Sequence, residues 1–98
     1  VAGNVHAAWQ AVLDRYGLEK KSRIGYSIGA AYAPDWGEHT LSFRPNETAL
    51  VPENAVVHII LGMWMDGWGM ELSETLHVTG SGCTKMTNFP QHVHLVQP

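Results

Sequence analysis

Ninety-eight residues with a formal net charge of −3 and 15% charged side chains make one small domain with no nucleic-acid footprint, since Lys20, Lys21 and Arg23 are too few for a basic stripe. No apolar run reaches the roughly 18 residues of a membrane span and no signal-peptide pattern opens the chain, so no membrane partner is expected and the expected address is the cytoplasm. The single cysteine, Cys83, has no internal disulfide partner and no zinc-like spacing to His or Asp; a buried or half-exposed free thiol is expected.

In chain order, Val5, Ala8, Trp9, Val12, Leu13 and Tyr16 recur at helical spacing, with Asn4 as the expected N-cap and Gly17 just past the end. The periodicity assigns Trp9 and Tyr16 to core packing. A charged link from Glu19 to Arg23 leads to a short element at Gly25 to Gly29. A loop rich in Pro, Asp and Gly then runs to His39, the kind of segment that carries function when a rigid sheet positions it. An extended stretch from Thr40 to Phe43, a turn through Arg44-Pro45-Asn46 and an apolar strand from Ala55 to Leu61 follow. The return strand is expected from Trp68 to Thr79, then a Gly80-Ser81-Gly82 turn, a short segment from Thr84 to Thr87 and a tail containing Pro90. The pattern describes one α+β domain over 1–98, with an antiparallel sheet dominating its second half.

Asp66-Gly67 favours a two-residue hairpin turn, because both central positions need positive φ. Such a turn makes each residue face the one whose number completes a constant sum. Ile60 then opposes Ser73, Gly62 opposes Glu71 and Trp64 opposes Gly69. Strand side chains alternate, so all six share one face, the expected floor of a site. His58 joins it opposite Thr75, whereas Trp68 and Glu74 point to the other face unless a bulge intervenes.

The segment Gly25-Tyr26-Ser27-Ile28-Gly29 resembles the glycine-flanked histidine motif of the pita-bread hydrolases, a family that includes aminopeptidase P, prolidase and creatinase. Leu50 to Gly62 is similar to the family strand that ends in Glu-Pro-Gly, and Gly69 to Thr75 to its last site strand, Gly-x-Arg-x-Glu-Asp. The resemblance implies that Tyr26, Ile60 and Ser73 occupy three of the family's five usual metal-ligand positions. None of the three is a carboxylate or an imidazole, the groups a hard divalent ion wants there. No metal and no cofactor is therefore expected. The resemblance is nearest to the metal-free branch, creatinase and ectoine hydrolase, on the runs Gly25 to Gly29, Pro34 to Thr40 and Gly62 to Gly69. It covers only the second half of a fold built from two pseudo-symmetric halves, each a helix pair on an antiparallel sheet. The missing first half, or a second copy of the chain, is therefore an expected partner, and Val1 in place of an initiating methionine is what a chain boundary, a processing product or incomplete numbering would give.

Glu71 and Tyr26 are the candidate catalytic residues. A carboxylate at position 71, where the family keeps arginine, suits a grip on a cationic group or acid–base work, and a phenol at 26 suits stabilisation of developing negative charge. Trp64 and Trp36 are candidate walls for a delocalised cation, and Ser73, Glu38 and His39 are candidate substrate contacts. Each has an ordinary structural reading beside the functional one: a packed aromatic, a solvated strand glutamate, a tyrosine bonded to backbone. His58 is a candidate support for a neighbouring site residue. His92 and His94 lack a carboxylate and do not make a metal motif. The expected function is part of a metal-independent hydrolase that cleaves a C–N bond in a small substrate. A metal-dependent Xaa-Pro peptidase or dipeptidase of the same fold, and a non-catalytic half domain acting in assembly, are the alternatives.

Overall fold

The computed structural model describes residues 1–35 and 37–98. One helix, α1 (Ala2–Asp14), precedes five strands: β1 (Gly25–Ile28), β2 (Gly37–Ser42), β3 (Val56–Met65), β4 (Trp68–Thr79) and β5 (Gly82–Lys85). The strands form one sheet in the order β2-β1-β3-β4-β5, and every neighbouring pair is antiparallel. The fold is α+β, as the sequence implies.

The β3–β4 ladder runs unbroken from Val56 opposite His77 to Met65 opposite Trp68. Gly67 takes φ 84°, but Asp66 does not share a positive φ; the two-residue turn keeps the expected register with only its second central residue left-handed, where glycine is needed. With no bulge to reverse it, alternation divides the two strands cleanly. Val57, Ile59 and Leu61 of β3 and Leu76 and Val78 of β4 pack in the core with Ala2, Ile24, Leu41, Phe43 and Trp9. His58, Ile60, Gly62 and Trp64, with Glu71, Ser73 and Thr75, therefore occupy the opposite face.

The helix departs from its expected frame at both ends. It begins at Ala2 behind Val1 with no side-chain cap, so Asn4 lies inside the first turn. The N–H groups that a cap would satisfy are taken by the 47–49 segment instead, through Ala2 N to Ala49 O at 2.8 Å and Gly3 N to Glu47 O at 2.9 Å. Tyr16 lies beyond the last helical residue and is 74% exposed, not core. Val5 and Val12 are also largely uncovered. Together with Trp9 they border an apolar groove of about 590 Å³ floored by Val57, Ile59 and Leu61. The helix is pinned at its N-terminus and covers the sheet only in part.

Two further elements differ from their expected bounds. The strand expected from Thr40 begins at Gly37, where backbone pairing with Ile28 extends β2 into the loop. The last strand is Gly82–Lys85 and not 84–87, because a two-residue turn at Gly80-Ser81 lets Gly82 pair with Thr79. Cys83 on that edge strand is exposed, since nothing packs over β5 there. No helix among the described residues is long and apolar enough to cross a membrane.

Candidate functional site

The open face of the sheet carries the candidate residues in two groups. At the β1 side, the Tyr26 ring lies 5.7 Å from that of its cross-strand partner His58, whose Nδ1 is 3.4 Å from Thr75 Oγ1. The guanidinium of Arg23 sits 4.8 Å over the Tyr26 ring. A cavity of about 310 Å³ opens beside them, lined by Arg23, Tyr26, Asp35, His39 and Arg44 among others. Tyr26 and His39, named independently from the sequence, thus share one cavity.

The loop entering β2 is organised by Asp35, which sequence reasoning passed over. Its Oδ1 accepts the Gly37 N–H at 3.0 Å, a local turn that Asp side chains favour, and its Oδ2 pairs with His39 Nε2 at 2.7 Å. The Gly37 N–H foremost, then His39 and Arg23, hold the Asp35 carboxyl below its ordinary range. The pair is exposed, at 71% and 60% for the His39 and Asp35 side chains, so screening leaves it little weight in stability. What it does is orient an imidazole, as carboxylate–histidine pairs do where a ring must present one particular nitrogen. His39 also holds φ 61° inside a strand, an unfavourable conformation for a residue with a Cβ. The Asp-x-Gly-x-His spacing was the signal available in the sequence.

At the hairpin side, Glu71 faces Gly62 across the ladder and Trp64 folds back over Gly62, whose hydrogen leaves the space the indole ring fills. Trp64 remains 68% exposed. Ser73 lies between Glu71 and the β1-side group. It borders a smaller cavity, about 250 Å³, with Glu71 and the C-terminal residues Phe89 and His92. Row counting along β3 puts Glu71 four residues from the row of Tyr26, about 13 Å at the usual strand rise. The two candidate catalytic groups flank the centre of the face; they do not touch one atom together.

Glu38 stands apart, its carboxylate against Gly29 and its cavity shared with Glu53 and Asn54 rather than with Tyr26. Trp36 lies outside the described residues. Glu74 points away from Glu71, as the register requires, and is only 8% exposed. Burial pushes its carboxyl up, but hydrogen bonds from Thr87 Oγ1 at 3.0 Å and Thr75 N at 2.9 Å, with Lys85 at 3.6 Å, outweigh it and hold the group below its ordinary range. Glu74 thereby ties the C-terminal segment to the sheet.

Lys20 is the other residue that sequence reasoning missed. It is 8% exposed, donates from Nζ to Gly62 O at 2.5 Å and lies 4.8 Å from the centroid of the Trp64 ring. Burial draws its ammonium below the ordinary lysine range, and the nearby Glu71 carboxylate draws it part of the way back.

Residues 1–80 match the model of metallopeptidase family M24. The chain belongs to metallopeptidase family M24. It is 36% identical over 91 residues to the ectoine hydrolase of Halomonas elongata, an alignment covering 92% of this chain and 23% of that protein. It is 34% identical over 89 residues to the uncharacterized hydrolase/peptidase y4tM of Sinorhizobium fredii, covering 91% and 23%. The chain therefore spans about a quarter of the length of these relatives.

The M24 name implies metal, and at the three positions that the resemblance gives to metal ligands the side chains present are poor donors for one. Ile60 offers no donor atom, its cross-strand partner Ser73 offers a neutral hydroxyl, and Tyr26 a phenol. Among the described residues no three His, Cys, Asp or Glu side chains stand close enough to hold an ion.

Proposed function

We propose that this M24 chain is the second half of a pita-bread catalytic domain, one domain over residues 1–98, in a metal-independent hydrolase that cleaves a C–N bond in a small substrate of the ectoine type. The observation that carries the reading is the Ile60–Ser73 pair: two side chains facing each other at the centre of the open face, neither suited to a divalent ion. The substrate class follows from the likeness to the ectoine hydrolase. A second support is the apolar groove beside α1, a surface that the first half of the domain, or a second copy of the chain, would cover.

In this reading the substrate lies along the open face between the two groups. Glu71 and Trp64 hold its cationic, delocalised amidinium, and the Tyr26 phenol donates to the ring nitrogen that takes the electron pair when the nucleophile adds to the amidinium carbon. His39, turned by Asp35, moves a proton at the Tyr26 end. Ser73 and Ile60 line the middle, and Glu38 contacts substrate only if its loop closes further. The attacking group comes from the half not contained in this chain.

The test is turnover of a cyclic amidine substrate by the complete protein. Glu71→Gln and Tyr26→Phe should each lower kcat/KM by about 100-fold, within the usual range for such groups. A chelator should leave the rate unchanged. Activity lost to chelator and restored by manganese or cobalt would overturn the metal-independent reading.

A further inference from the structure

Lys20 closes the hairpin end of the open face from the β1 side. The segment before β1 runs beside β3, with Ile60 N donating to Ile24 O at 2.7 Å, and this carries Lys20 to the level of Gly62 and Trp64. Gly62 is in turn the cross-strand partner of Glu71. From one side of the face to the other the order is therefore ammonium, indole over glycine, carboxylate.

Every neighbour of Lys20 Nζ favours the charged form: a carbonyl oxygen, an aromatic face and a carboxylate within electrostatic reach. These contacts oppose the burial that draws its pKa down, and give the ammonium partners on three sides. Lys20 and Glu71 nevertheless form no ion pair among the described residues. The ammonium has three donors, of which Gly62 O takes one. An almost buried ammonium and an exposed carboxylate thus stand apart, with the exposed indole of Trp64 beside the ammonium. A plain cation drawn to Glu71 and Trp64 meets repulsion from Lys20. A plain anion drawn to Lys20 meets repulsion from Glu71. Only a ligand carrying both charges satisfies both groups.

We propose that Lys20 is a specificity-determining residue: it receives the carboxylate of a small zwitterion whose cationic end lies against Trp64 and Glu71. This rests on the reading above that the open face binds a small substrate. It adds the residue that makes the face reject simple cations.

The experiment compares ectoine, a zwitterion, with its methyl ester, which keeps the cationic ring and lacks the carboxylate. Binding to the complete protein is measured by calorimetry, for the parent and for Lys20→Met, Lys20→Arg and Glu71→Gln. The parent should bind the zwitterion about tenfold or more tightly than the ester, the scale of one charged hydrogen bond. Lys20→Met should remove that preference, and Lys20→Arg should restore most of it, which a purely structural role would not do. Equal affinities in the parent, binding of neither ligand, or an undiminished preference in Lys20→Met would each overturn the proposal. Zwitterion binding lost in Glu71→Gln but kept with its preference in Lys20→Met would sink the role of Lys20 alone, whereas an unaffected Glu71→Gln would remove Glu71 from the substrate reading.

Discussion

Ile60 and Ser73 face each other directly across the β3–β4 ladder, in the middle of the sheet face that the helix leaves open. Because the pair is cross-strand, side chains placed there converge on one point, as they do at any directly opposed strand positions about 5 Å apart. On the proposed reading, their chemistry bears on whether that point holds an ion.

Restoring ligand chemistry should restore ion binding. The triple variant Tyr26→His, Ile60→Glu, Ser73→Glu is expected to bind manganese measurably in calorimetry, while the parent chain shows no heat beyond dilution. Tight binding by the parent that Glu71→Gln abolishes would contradict this outcome and point to an ion elsewhere on the face.

The hairpin turn should be sensitive at one residue. Gly67 sits at φ 84° with open space around it, so Gly67→Ala brings a backbone penalty and no clash. A loss of about 1–2 kcal/mol is expected in chemical denaturation. A variant as stable as the parent would mean that the turn relaxes to another type.

His39 is expected to show strain that serves its position. At φ 61° a β-branched side chain is worse placed than histidine, and glycine is better placed. His39→Val should therefore be less stable than His39→Gly by about 1–2 kcal/mol, read from thermal melts. Both should lose the Asp35 contact and, on the proposed reading, lower turnover alike.

Glu74 should make the C-terminal segment pH-sensitive. Its folded pKa is lowered, so its contribution is fully present above the ordinary carboxylate value of 4.5 and is lost as pH falls through the lowered folded value. The protection factor of the Met86 amide, which donates to Thr75 O at 3.0 Å beside this anchor, should fall on acidification in that range. Glu74→Gln should exchange fast already at neutral pH and show less dependence on acid; protection unchanged in that variant would place the anchor elsewhere.

The register, and with it the membership of the open face, was legible because it depends on local chemistry. Asp66-Gly67 marks a two-residue turn whatever its type, and a period of two then assigns Ile60, Gly62, Trp64, Glu71 and Ser73 to one side without knowledge of anything distant. The apolar alternation of Val57, Ile59 and Leu61 did the same for the core. The helix was legible as a helix, but not its start or its burial. Those depend on the 47–49 segment reaching Ala2 and Gly3, and on how much of the sheet α1 covers. What tertiary structure alone decided were the contacts between segments far apart in the chain. Lys20 reads as one of two adjacent surface lysines until the path before β1 lays it against Gly62 and Trp64, 42 and 44 residues on. Tyr26 and His39 read as separate candidates until the turn at Asp35 folds them to one cavity. Pairing along a strand is fixed by covalent spacing, whereas the meeting of distant charged and aromatic groups is fixed only when the whole sheet closes and burial makes each need its partner.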